Sequence, residues 1–199
     1  MIWAAVPVKR LDQAKQRLAD ALDPPARADL VLSMLDNVLT GLLAAEGLAG
    51  IVVVTGDAAA AAHAVERGIQ VLPEPPAGGL NQALVVAADW LQHHGATAML
   101  VIPADLPLAR AVDFTHLIAA HRGAGTVTCV RSKDGGTGAL LCPLPPPVPF
   151  AFGPDSFISH GMAVKAAGLC FHAVDIPHIA FDLDAPEDLA AVQARSAGK

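Results

Sequence analysis

The chain is 199 residues long, 53% hydrophobic but only 4% aromatic, contains no tyrosine, and carries a net charge of −6. That length suits one domain over residues 1–199, its core built from small aliphatic side chains between a sheet and two helical layers. The acidic balance excludes the basic stripe of a nucleic-acid surface, and no apolar run is long enough to span a membrane.

At the N-terminus the apolar residues precede Lys9 and Arg10, the reverse of a secretion signal, so Ile2–Val8 reads as a first strand. A short charged helix is expected near Asp12–Leu22 and a longer one from Ala26 to Ala45. Ile51–Thr55 is a β-branched run closing on Gly56-Asp57, where Asp57 is placed to cap an Ala-rich helix over Ala58–Arg67. A short strand at Ile69–Leu72, an amphipathic helix at Asn81–His94, a strand at Ala98–Ile102 and a helix at Asp113–His121 follow. Two further strands are expected at Thr126–Val130 and Ala139–Cys142. Five prolines between Leu141 and Phe150 then impose a stiff, extended crossing. Strands alternating with helices predict right-handed crossovers and an α/β fold with a mostly parallel central sheet flanked by helices. Cys129, Cys142 and Cys170 lack metal-ligand spacing and are expected as buried thiols in a reducing cytoplasm.

The chemistry begins at Met99–Pro107, a continuous apolar run that stops at Asp105 between two prolines. Such a run reads as a strand buried on both faces, and its carboxyl end is where open α/β sheets bind ligands. Ala180–Asp184 presents Asp182 and Asp184 in a similar strand-end setting, two residues apart and so facing one side of an extended segment. Three carboxylates of this kind suit a hard, oxygen-ligated cation such as Mg2+, which is commonly shared with substrate phosphates. Lys9, Arg10, Lys15 and Arg17 crowd the exit of the first strand without any Gly-rich cradle. Alone they read as a solvated helix face; beside the aspartates they read as a triphosphate clamp. Gly78-Gly79 permits close backbone approach to a ligand, and Asn81 either caps the following helix or contacts the nucleoside. Asp134–Gly138 is a turn between strands, and Phe152–Phe157 precedes a helix whose start favours an anion. Thr137, Gly153 and Ser156 would then form a pocket for a second phosphate, separate from the nucleotide. No histidine has metal-ligand spacing with another histidine or cysteine, and His160 and His178 read as packing or surface residues.

Six segments in series resemble the CofC/FbiD guanylyltransferases of coenzyme F-420 biosynthesis. They are Val6-Pro-Val-Lys9 with Ala14-Lys15 and Arg17-Leu18, Gly79-Leu-Asn81, Pro103-Ala-Asp-Leu-Pro107, Asp134-Gly-Gly-Thr137, Phe152-Gly-Pro-Asp-Ser-Phe157 and Asp182-Leu-Asp-Ala-Pro186-Glu-Asp188. The resemblance covers nearly the full length and implies a Rossmann-like nucleotidyltransferase domain of the nucleotide-diphospho-sugar transferase type. It implies that Asp105, Asp182 and Asp184 hold two Mg2+ ions at the catalytic centre, with Lys9. It places Lys9, Lys15, Arg17, Gly79 and Asn81 on the GTP side, and Thr137, Gly153 and Ser156 around the acceptor's phosphate. Gln16, where many relatives have Ser, and Gly138, where they often have Asn, depart from the pattern.

The implied reaction joins GMP from GTP to a three-carbon phosphoacid (phosphoenolpyruvate, 3-phospho-D-glycerate or 2-phospho-L-lactate) and releases pyrophosphate. Its product would pass to a downstream side-chain transferase. Two other readings share the residues: a cytidylyl- or uridylyltransferase for a sugar or polyol phosphate, and a non-catalytic GTP-binding regulator. The residues leave the choice of acceptor and the oligomeric state open, a homodimer included.

Overall fold

The computed structural model describes residues 1–76 and 79–197. Seven strands form one sheet: β1 Ile2–Val8, β2 Leu48–Thr55, β3 Gln70–Pro73, β4 Ala98–Val101, β5 Thr126–Arg131, β6 Thr137–Pro143 and β7 Cys170–Ala173. The helices are α1 Pro24–Leu43, α2 Ala58–Val65, α3 Gly79–His93, α4 Ala111–Ala119, α5 Ser156–Ala166, α6 Pro177–Ala180 and α7 Pro186–Ala197. In the order β3-β2-β1-β4-β6-β5-β7 all neighbours run parallel except β6, which is antiparallel to β4 and β5. The expected mostly parallel α/β sheet is therefore what forms, with one strand reversed by the β5–β6 hairpin.

Burial follows from composition. Ile51–Thr55 of β2 and all of β4 are buried, so their unbroken aliphatic runs need no polar alternation. One face of the sheet packs on Leu35, Val38 and Leu39 of α1, Ala60 and Ala64 of α2, Phe114 and Leu117 of α4, and Ile179 of α6. The other face packs on Leu84, Ala87 and Leu91 of α3 and Val164 of α5. Caps fix the helix starts: Asp23 accepts from the Ala26 N–H, and Asp57 from those of Ala59 and Ala60. After β3 the chain crosses to the far side of β1, so the strand order reverses between β1 and β4. The carboxyl ends of those two strands flank the crevice where such sheets take ligands.

Four expectations need correction. Asp12–Leu22 is not a helix but two 3-10 turns, Leu11–Gln13 and Gln16–Leu18, joined by Lys15 in the left-handed region at φ 51° and ψ 41°. Leu11 and Leu18, seven residues apart, reach the same small apolar cluster with Val31, Met34 and Leu183; that spacing suits a helix face equally well. Phe181–Asp184 is not a strand: it follows the short helix α6 and joins no ladder of the sheet. Strand β7 was not expected; it is a four-residue edge strand held by β5 alone. Finally, Cys129 and Cys142 are buried free thiols, but Cys170 is exposed.

Candidate active site

The turns after β1 are pinned to the fold by Asp57. While its Oδ1 caps α2, its Oδ2 accepts the Leu11 N–H at 3.0 Å, fixing where the basic loop leaves the sheet. This loop forms one wall of a cleft of about 280 Å³ at the strand-order reversal, lined by Lys9, Lys15, Glu74, Asp105, Phe152 and Asp184 among others. Lys15 Nζ donates to Asp105 Oδ2 at 2.7 Å and to Asp184 Oδ1 at 2.6 Å, with its side chain 7% exposed. Burial alone would lower the Lys15 pKa; the charges and hydrogen bonds of Asp105 and Asp184 overcome it, and the net shift is upward.

The two acidic segments are joined through the backbone. The Leu183 N–H donates to the Asp105 carbonyl at 3.2 Å, and the N–H groups of Asp184 and Ala185 donate to Asp188 Oδ2 at 2.9 and 2.8 Å. Lys133 holds the same segment from the hairpin side. Its Nζ donates to the Asp182 carbonyl at 2.6 Å, pairs with the Asp188 carboxylate, and lies 4.5 Å from the centre of the Phe181 ring. Asp182 Oδ1 is buried and makes no hydrogen bond to the described residues. Burial, then the like charges of Asp105 and Asp184, pushes its carboxyl up to about 6.

Among the described residues no three His, Cys, Asp or Glu side chains converge tightly enough to cage a metal ion, and an ammonium stands between two of the aspartates. The donor set nevertheless fits a hard dication. All of its candidate ligands are carboxylate oxygens, one of them buried and unsatisfied, and a nearby cation would relieve the charge crowding at Asp182.

Outside the lining of this cleft the structure brings Thr137 and Ser156 together as the sequence suggested, yet their hydroxyls are bonded to each other. Ser156 Oγ donates to Thr137 Oγ1 at 3.0 Å, and both residues are buried. Thr137 Oγ1 also meets His160 Nδ1 at 3.1 Å, while His160 Nε2 accepts the Ala151 N–H at 3.0 Å. That acceptor role puts the ring proton on Nδ1, which therefore donates to Thr137. His160 is fully buried, and its pKa is pushed down to about 4 by that burial. His160 is thus a packing residue, as expected, and Ser156 and His160, four apart on α5, share one face.

The remaining candidates scatter. Asn81 neither caps α3 nor faces the cleft lining: its Nδ2 donates to the Phe152 carbonyl at 3.1 Å and its Oδ1 accepts the Phe152 N–H at 2.8 Å. It clamps the loop before α5, and Phe152 carries that loop into the cleft wall. Gly79 opens α3 at φ +60°, a left-handed conformation that glycine enters without strain; Gly78 lies outside the described residues. Arg17 and Gly153 are exposed and not in the cleft lining, and Arg10 pairs with Asp12 on the surface.

The protein family described as Guanylyl transferase CofC like matches residues 2–199. The chain belongs to this family. The phosphoenolpyruvate guanylyltransferase of Rubrobacter xylanophilus is 41% identical over 194 residues, 97% of this chain and 94% of its own length. The protein of the same name from Sphaerobacter thermophilus is 38% identical over 94% of this chain and 89% of its own. A solved structure from Desulfovibrio desulfuricans G20, described as a nucleotide-diphospho-sugar transferase, superposes with a TM-score of 0.76 over 96% of this chain and 85% of its own, at 15% identity. As a CofC-like guanylyl transferase, the chain is an enzyme of the nucleotidyltransferase class, and the Rossmann-like fold expected of it is the one seen. Three further residues of this CofC-like chain, Lys133, Asp188 and His160, touch the candidate site residues; Asp188 closes one of the family segments and His160 was expected as a packing or surface residue, whereas Lys133 was not expected at the site. Asp188 carried a signal, as an acidic residue in the first turn after Pro186; Lys133, a lone basic residue in a turn, carried none. Gly138, a departure from the family pattern, has a local reason: a Cβ there would lie 2.6 Å from the Ile179 carbonyl oxygen.

Proposed function

We propose that this chain transfers GMP from GTP to the phosphate of a three-carbon phosphoacid, with phosphoenolpyruvate as acceptor ahead of 3-phospho-D-glycerate and 2-phospho-L-lactate, in coenzyme F-420 biosynthesis. The observation that carries the reading is the meeting of Lys9, Lys15, Asp105 and Asp184 on one cleft at the strand-order reversal. Curated relatives named for phosphoenolpyruvate favour that acceptor. The product would go to the side-chain transferase of that pathway. The free state of the three cysteines suits a reducing cytoplasm.

In the reaction an acceptor phosphate oxygen forms a bond to the α-phosphorus of GTP, and the bond from that phosphorus to the β-phosphate bridging oxygen breaks. The nucleophile is ionised near neutral pH, so no side chain has to remove a proton. Charge is the obstacle, because both reactants are anions. Lys9 and Lys15, on the cleft wall, would offset the charge of the departing pyrophosphate. Thr137 and Ser156, aligned by His160, would donate to the acceptor's phosphate once their mutual bond opens. Mg2+, when bound through Asp105, Asp182 and Asp184, would supply charge neutralisation at the reacting phosphates.

The deciding experiment incubates the protein with GTP, Mg2+ and each phosphoacid in turn, measuring pyrophosphate and product mass. The expected outcome is a GMP adduct of phosphoenolpyruvate. Preference for CTP or UTP with a sugar phosphate, or no turnover with any of the acids, overturns the assignment.

A further inference from the structure

We propose that Lys15 guards the metal-binding carboxylates: its ammonium suppresses divalent-cation binding until the phosphates of the nucleotide draw it away. This rests on the reading above, in which Asp105, Asp182 and Asp184 receive the cation.

The geometry argues for competition. Lys15 Nζ lies 2.7 Å from Asp105 Oδ2 and 2.6 Å from Asp184 Oδ1, so one positive charge occupies the space between two proposed ligands. A dication on these carboxylates would either displace the buried ammonium or sit a few ångströms from it and be repelled. The placement is built in. Lys15 adopts a left-handed backbone between two 3-10 turns, and flanking Leu11 and Leu18 are anchored in an apolar cluster. Meanwhile Asp182 Oδ1, not engaged by Lys15, remains buried without a hydrogen bond to the described residues. Two of the carboxylates are therefore hydrogen-bonded to Lys15, while the third faces only the Lys133 ammonium, 3.9 Å from Asp182 Oδ1. An ammonium has three N–H donors, and a triphosphate offers stronger, more numerous acceptors on the same cleft wall, where Lys9 also stands. Moving Lys15 onto phosphate frees Asp105 and Asp184 at the moment the metal is wanted. Metal and nucleotide are then thermodynamically coupled, each favouring the other.

The test measures Mn2+ binding to nucleotide-free protein from the paramagnetic resonance signal of the unbound ion. Wild type, Lys15→Met and Lys15→Arg are compared, with Lys15→Gln in reserve if the methionine variant does not fold. Lys15→Met is expected to bind Mn2+ at least about tenfold more tightly than wild type, the size of an ordinary coupling. Its melting temperature should also rise further on Mg2+ addition, while Lys15→Arg behaves as wild type. Equal affinities in all three proteins would overturn the guarding role and leave the metal site standing. Absence of Mn2+ binding in every protein would remove the metal assignment itself, and the guarding role with it.

Discussion

Asp105 acts through its backbone and its side chain separately. Its carbonyl accepts the Leu183 N–H, joining the loop after β4 to the segment before α7, while Oδ2 accepts from Lys15. An amide keeps the shape and the backbone link but loses the charge. Asp105→Asn should therefore retain the fold and its far-ultraviolet spectrum, and lower kcat by roughly 10²–10³-fold, as loss of one electrostatic stabiliser does. Turnover near the wild-type value would take Asp105 out of the mechanism. Gly138 sets a steric condition at the same scale. The Ile179 carbonyl passes so close that any Cβ at 138 must push α6 away from β6. Gly138→Ala is expected to cost about 1–3 kcal/mol in urea unfolding, the usual penalty for overpacking. An unchanged midpoint would mean that α6 moves freely.

Between elements, the Asn81–Phe152 clamp joins α3 to the loop that delivers α5. Both side-chain ends of Asn81 are used on the backbone N–H and C=O of one residue, Phe152, so a single side chain registers the cleft wall against the Thr137–Ser156–His160 network. Asn81→Ala should lower stability by about 1–3 kcal/mol because it leaves part-buried backbone groups unpaired. It should raise KM with kcat nearly intact, because positioning is lost and reacting groups are not; a fall in kcat alone would contradict this role. The same scale shows what the chain makes legible. Aliphatic runs such as Ile51–Thr55 and Met99–Ile102 announce buried strands, and Asp57 announces its helix, because those signals are local. Asp105, Asp182 and Asp184 stand out for the same reason, as carboxylates beside apolar or proline punctuation. What escapes depends on partners distant in sequence. β7 exists because β5 offers it an edge, Phe181–Asp184 is held by Lys133 and Asp188 rather than by a ladder, and Lys15 finds its carboxylates across the fold. Leu11 and Leu18 mislead, since a spacing of seven serves a helix or two tight turns equally.

Across the whole molecule, His160 links α5, β6 and the loop before α5 through one buried ring. With Nε2 accepting from the Ala151 N–H, a second ring proton would set two donors against each other, so protonation is opposed by geometry as well as by burial. The folded pKa, about 4, lies below the ordinary value near 6.5, and between them the unfolded chain binds more protons than the folded one. Stability from this group is therefore fully present above about pH 6.5 and is lost as pH falls towards 4, by about 3 kcal/mol at most. His160→Asn lacks the titration. The difference in unfolding free energy between wild type and variant should shrink as pH drops from about 7.5 to about 4.5, measured by urea denaturation at each pH. Because the ring also orients Thr137 and Ser156, the variant should weaken acceptor binding at neutral pH while leaving nucleotide affinity unchanged, a split that general loss of stability would not produce. A constant free-energy difference across that range would show that the imidazole takes up its proton inside the fold as readily as outside it, and the buried network would have to be redrawn.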